Sequence, residues 1–181
     1  SEQINDLHRR GQALAAFVAD TLFTSDGIFA HTRGILEPVM QVVHEAGGLF
    51  IADEVQCGFA RTGSHMWGYQ RHGIVPDIVS LGKPMGNGYP VAGIAVRPEV
   101  ASNFGNDMRY FNTFGGNTVA IAAANATLEV IQNESLAESC TNVGEIMMSG
   151  LLELAQQDER IGDVRGTGLY MGIEMVKNRD T

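Results

Sequence analysis

Cysteine is scarce in this 181-residue chain: only Cys57 and Cys140 occur, far apart in sequence. Two distant thiols give neither a disulfide framework nor a zinc-ligand spacing, so a reduced, cytosolic setting is expected. Basic residues are also few, with 12 Lys plus Arg against 21 Asp plus Glu and a formal net charge of -9. Phosphate-backbone binding needs clustered cations, which makes nucleic acid an unexpected partner. No stretch approaches the ~18 uninterrupted apolar residues of a membrane span. The first residues lack the basic-then-apolar layout of a signal peptide. Phosphate-binding motifs are missing as well. The one Gly-Lys pair, Gly82-Lys83, is followed by Pro84, and the first glycine of the nucleotide-hydrolase loop is absent. Gly166-Thr167-Gly168 has its next glycine at 172, one residue too late for a dinucleotide fingerprint. His44-Glu45 is followed by Gly48 where a zinc protease needs a second histidine.

Hydrophobic content is ample, at 44%, and excludes disorder. Glycine is abundant, with 22 residues dispersed through apolar segments, as expected of turns and close approaches. Strand-like runs alternate with helical patterns, the signature of an α/β domain. Strands are expected over Ala13–Leu22, Leu49–Ala52, Ile78–Leu81 and Val91–Val96. Helices are expected over Gly34–Ala46, around His65–His72, from Pro98, over Asn117–Ile131 and over Ser135–Gln156. Val164–Gly168 reads as a turn and Leu169–Val176 as a strand that opens a new domain. The chain begins without methionine and stops after an apolar run, so a piece of a longer protein is expected.

Two residues suggest chemistry. Asp53 and Lys83 both follow short apolar strands, and the carboxyl ends of strands in an open α/β sheet converge on a ligand crevice. Taken alone, Asp53 reads more readily as a capping or loop carboxylate than as a catalytic one. Lys83 changes that balance, because Gly82 and Pro84 hold it in a tight turn rather than on a solvated helix face. A strand-end lysine with an acid partner suits a Schiff-base cofactor such as pyridoxal phosphate, whose ring nitrogen the acid keeps protonated.

Four segments then carry a family resemblance: LFIADEVQCGFARTG, IVSLGKPMGNGYPVA, YFNTFGGNTVAIAAANATLEVI and IGDVRGTGLYMGIEMV. In order and spacing they resemble class III aminotransferases, fold-type I pyridoxal-phosphate enzymes. The nearest branch contains alanine–glyoxylate aminotransferases of the mitochondrial type and phospho-lyases acting on phosphorylated amines. The resemblance implies a three-layer αβα large domain, partial here over residues 1–157, with the start of a C-terminal small domain over residues 158–181. By the same resemblance Asp53 faces the pyridine nitrogen and Lys83 is the Schiff-base lysine and proton carrier. Gln56 lies near the ring hydroxyl, and Thr113 binds the cofactor phosphate across a homodimer interface. Without the family, Thr113 is an ordinary residue near a helix N-terminus.

Arg61 and Arg165 could meet a substrate carboxylate or phosphate, or serve as ion-pair and turn residues. Asp20-Thr21 stands where the family commonly has Glu-Pro or Glu-Ser, a departure that bears on substrate choice. Three functions remain open. The first is an aminotransferase passing an amino group from an amino acid or ω-amine to a 2-oxo acid. The second is a phospho-lyase, and the third is a truncated, non-catalytic product in which Lys83 is a leftover.

Overall fold

Three parallel strands build the floor of this computed structural model, which describes residues 2–30 and 32–179. They are β1 (Ala16–Asp20), β2 (Leu49–Asp53) and β3 (Ile78–Leu81), in that spatial order, and β4 (Gly93–Val96) closes the edge antiparallel to β3. Helix α1 (Glu2–Arg9) precedes β1, and α2 (Leu36–Glu45) supplies the crossover from β1 to β2. Beyond β4 come α3 (Pro98–Asp107), α4 (Thr118–Asn133) and α5 (Leu136–Gln157). A separate hairpin, β5 (Ile161–Thr167) and β6 (Tyr170–Met175), ends the chain. The expected α/β class is what the chain adopts. Among the described residues no helix is long and apolar enough to cross a membrane.

Strand periodicity explains how the sheet is covered. In β2, Phe50 and Ala52 are fully buried while Leu49, Ile51 and Asp53 are only partly so, because successive side chains point to opposite faces. Phe50 and Ala52 join Ala19, Leu36 and Ile74 in one core beneath α2. Asp77 fastens the entry to β3. One of its carboxylate oxygens accepts from the Phe50 N–H and lies 2.7 Å from His44 Nε2, and the other pairs with Arg97 at 2.9 Å. Burial pushes the Asp77 pKa up, but these three partners outweigh it and hold the group below its ordinary value.

The segment expected to be a turn, Val164–Gly168, is instead mostly strand. Residues 161–167 pair antiparallel with β6, and only Gly168 and Leu169 form the turn. A two-residue hairpin loop with glycine first and φ of +54° at that glycine matches the twist of the flanking strands. Two glycines in the strand concealed its periodicity. Expected strands at Ala13–Leu22 and Val91–Val96 are shorter in the fold, and helix α1 was not anticipated. Its eight residues bury nothing completely and include only Ile4 and Leu7 as apolar residues, so the helix is amphipathic but too short and too polar overall to stand out in the sequence.

The hairpin turn sits directly on α5. A Cβ added to Gly144 would lie 2.1 Å from the Gly168 carbonyl oxygen, so only glycine admits this approach. Gly150 on the same helix is exposed and has nothing within 4 Å of such a Cβ. Gly150→Ala is therefore expected to stabilise the chain by up to about 1 kcal/mol through helix propensity. Gly144→Ala should instead destabilise it by about 1–3 kcal/mol, as overpacking does. Denaturant unfolding of the two variants checks the opposite signs.

Candidate active site at the strand ends

Parallel register aligns the chemistry. Asp20 of β1 lies opposite Asp53 of β2, and Asp53 lies opposite Ser80 of β3. The three residues therefore share one edge and one face of the sheet. Lys83 follows three residues after Ser80 and opens a short 3₁₀ turn, Lys83–Gly86, with φ of +30°. A lysine in left-handed backbone is uncommon and is held there by its surroundings, here Gly82 before it and Pro84 after it. The turn packs against α4.

Asp53 is half-buried, and its two oxygens differ. Oδ1 accepts from the Val55 N–H at 3.0 Å and from Ser80 Oγ at 3.1 Å. Oδ2 has no hydrogen-bond partner among the described residues. Lys83 is exposed, and its ammonium likewise has no partner among them. A carboxylate fixed through one oxygen and open at the other, beside an uncommitted amine one strand away, suits a ring with a protonated nitrogen and an aldehyde. Pyridoxal phosphate has that donor and acceptor set.

Gln56 lies on the loop after β2. Its amide nitrogen donates to Thr24 Oγ1 at 2.7 Å and to Ser25 Oγ at 3.3 Å. Its backbone carbonyl accepts from the Tyr170 hydroxyl of the hairpin. Burial pushes that phenol's pKa up to about 12, so it remains a donor at neutral pH. Thr113 is placed elsewhere, on the exposed loop between α3 and α4. There the Phe114 and Gly115 N–H groups donate to Asn112 Oδ1, and Asn117 caps α4 by accepting from the Ala120 N–H. The Thr113 hydroxyl has no partner among the described residues.

Sequence reasoning passed over the group that holds this edge together. Glu54 is fully buried and accepts from Thr21 Oγ1, Cys57 Sγ and the Gly68 and Tyr69 N–H groups, at 2.8, 3.3, 2.7 and 2.8 Å. Burial pushes its pKa up against four donors that favour the charge. Burial also raises the Cys57 thiol, with the neighbouring Glu54 carboxylate as the second cause, so the thiol is a packing group and not a nucleophile. The signal in the sequence was Glu54 itself, a carboxylate immediately after an apolar strand. Its partners lie up to 33 residues away, beyond any local pattern.

Both arginines are engaged within the fold, although Arg61 Nη2 is buried with no hydrogen-bond partner among the described residues. Arg165 pairs with Asp163 at 2.6 Å and Glu174 at 3.1 Å and donates to the Gly27 carbonyl. Arg61 donates through Nε to the Gly58 carbonyl, and its guanidinium carbon lies 5.5 Å from the Tyr170 ring centroid.

The sheet, parallel except at its edge strand β4, carries an acid and a lysine at adjacent strand ends, the side on which open α/β sheets bind ligands. The profile of the aminotransferase class-III family matches residues 1–181, and the chain belongs to that family. Among curated relatives, the human mitochondrial alanine–glyoxylate aminotransferase 2 is 43% identical over 168 residues. That match covers 93% of this chain and 33% of the human protein. A phospholyase from Arthrobacter, solved in complex with phosphoethanolamine, superposes with a TM-score of 0.92 at 40% identity. The superposition takes in 96% of this chain and 41% of the phospholyase. Taurine:2-oxoglutarate aminotransferase from Bifidobacterium kashiwanohense, solved with PLP and glutamate, gives a TM-score of 0.89 at 25% identity, over 99% of this chain and 41% of that one. The chain thus spans between a third and about two-fifths of the proteins it matches, and its fold is that of the class III aminotransferases.

Glu54→Gln places N–H groups among four donors and should cost about 1–3 kcal/mol of stability. Denaturant unfolding at neutral pH tests this, and a loss under about 0.5 kcal/mol would mean that the buried carboxylate is not the anchor described.

Proposed function

We propose that this chain is the lysine-bearing, central-to-late part of a pyridoxal-phosphate-dependent aminotransferase, which passes an amino group from an amino acid or ω-amine to a 2-oxo acid. The observation that carries this reading is the pairing of Asp53, open at Oδ2, with the uncommitted Lys83 at neighbouring parallel strand ends. Its membership of the class III family supports the same reading. Residues 1–157 are read as the latter part of the cofactor-binding large domain, and 158–181 as the start of the small one. The separation of the β5–β6 hairpin from the four-stranded sheet supports that division.

The roles follow from the chemistry of each group. Bound pyridoxal phosphate supplies an electron sink for the carbon that carries the amino group. Asp53 keeps the ring nitrogen protonated through charge, with Oδ1 fixed by Val55 and Ser80 so that Oδ2 is presented. Lys83 would hold the cofactor through Nζ, and its amine would serve as the base that moves the α-proton of the substrate. Gln56 meets the ring hydroxyl. Thr113 contacts the phosphate from the second subunit of a homodimer, a placement in keeping with its position away from the strand ends. A cytoplasmic location is the reading of two free cysteines, whereas the human relative is mitochondrial by name.

A second reading is a phospho-lyase removing phosphate and ammonia from a phosphorylated amine. It draws on the likeness to the Arthrobacter phospholyase. The intact enzyme carrying this chain separates the two. Conversion of the bound cofactor to its amine form by an amino donor, with a keto product, is expected of the aminotransferase. Release of phosphate and ammonia from phosphoethanolamine with no acceptor added would replace it by the lyase.

In that enzyme, Lys83→Ala should abolish the borohydride-fixed cofactor adduct on the peptide containing residue 83. An unchanged yield of adduct at another lysine would remove Lys83 from its role. Asp53→Asn should retain cofactor but lower turnover by at least about 10²-fold, the scale of one lost electrostatic group.

A further inference from the structure

Among the described residues, Arg71 is the single lysine or arginine that the fold buries, at 7% exposure. It sits in the 3₁₀ turn Gly68–His72, away from the roles assigned above. Its Nη2 donates to the Ala30 carbonyl, and its Nε is buried with no partner. No carboxylate pairs with the guanidinium among the described residues. A buried charge without a counter-charge is costly, which is why such groups are normally paired.

The surroundings add positive charge and supply no negative one. Burial pulls the Arg71 pKa down, and the guanidinium of Arg33, a like charge, pulls it further. Cys57 acts in the other direction, but burial raises that thiol, which stays neutral. His72 is the next residue, with Nε2 2.7 Å from the Thr21 carbonyl, and burial keeps its ring neutral as well.

Arg33 belongs to the same connection between β1 and α2 as Ala30, so the bond from Arg71 to Ala30 draws the two arginines to one segment. Arg33 is exposed and has no hydrogen-bond or ion-pair partner among the described residues. It lines a groove of about 470 Å³ between the hairpin turn and α5, which gives the pair access to solvent. Glu145 of α5 lines the same groove without pairing with Arg33. Its charge repels an anion from the α5 wall and leaves the Arg33 end as the favourable place. Each guanidinium presents a fork of N–H donors that matches the paired oxygens of a carboxylate or phosphate. Chloride would satisfy the charge but not the fork.

We propose that Arg71 and Arg33 form an oxyanion site that takes a phosphate or carboxylate group from solvent. The bound group supplies the counter-charge that the fold omits for Arg71. The inference uses neither Asp53 nor Lys83 and stands independently of the cofactor reading.

The test uses the intact enzyme carrying this chain, saturated with pyridoxal phosphate so that any cofactor phosphate site is already filled. Inorganic phosphate and acetate are the probes, each compared with chloride at equal ionic strength to separate binding from screening. Phosphate, acetate or both should raise the unfolding midpoint more than chloride does, and equilibrium dialysis should saturate at one anion per chain. The stronger response tells a phosphate site from a carboxylate site. Arg71→Met and Arg33→Gln should each weaken that anion by at least about ten-fold, the scale of one charge-assisted hydrogen bond. Should Arg71→Met fail to fold, the exposed Arg33→Gln decides by itself. Responses to phosphate and acetate no larger than to chloride would overturn the inference, and Arg71 would then be paired by a carboxylate elsewhere in the enzyme. Undiminished binding in Arg33→Gln would place the anion at another site and overturn it equally.

Discussion

The strand edge depends on a carboxylate that touches no solvent. Glu54 ties the end of β1, through Thr21, to the loop after β2 and to the start of the 3₁₀ turn Gly68–His72. A buried carboxylate is costly unless its lone pairs are filled, and here four donors from three separate segments fill them. Because those segments must arrive together, Glu54 fixes where the loop leaves the sheet. That in turn sets where its neighbours Asp53 and Gln56 stand. Thr21 is one of those four donors and is buried with Glu54. The threonine noted in the sequence therefore has a packing consequence.

The hairpin is tied to the same edge. Tyr170 donates to the Gln56 carbonyl, Leu169 donates its N–H to the Arg61 carbonyl, and the Gly144–Gly168 contact leaves no space for a side chain. The hairpin and the loop that carries Gln56 are thus joined by direct hydrogen bonds. Arg165, a possible ligand residue by sequence, reinforces this joint by bonding the Gly27 carbonyl on the turn after β1.

Much of this was legible in the residues. The runs Leu49–Ala52 and Ile78–Leu81 announced strands through length and apolar content, and the residues just after them pointed to the sheet edge. Alanine-rich α4 and the longer α5 were equally plain. The β5 strand was not, because Gly162 and Gly166 break the alternation and Arg165 places a charge in its middle. Glycine there reflects close approach by neighbouring atoms, which propensity cannot anticipate. The hydrogen bonds that join Asp20 to Thr24 and Thr24 to Gln56 were equally hidden, since 32 residues separate Thr24 from Gln56.

By itself the sequence determined the α/β class and the family, and it singled out Asp53 and Lys83. Each rests on local composition or on ordered segments read along the chain. Tertiary structure alone decided that Asp53 has one oxygen bound and one open, that Asp20 is turned back on its own loop, and that the Gln56 amide is held from Thr24. These depend on register between strands and on the direction of hydrogen bonds between distant segments. Neither is encoded in any single stretch, because both arise only when Glu54 and the Gly144–Gly168 contact draw those segments to one edge.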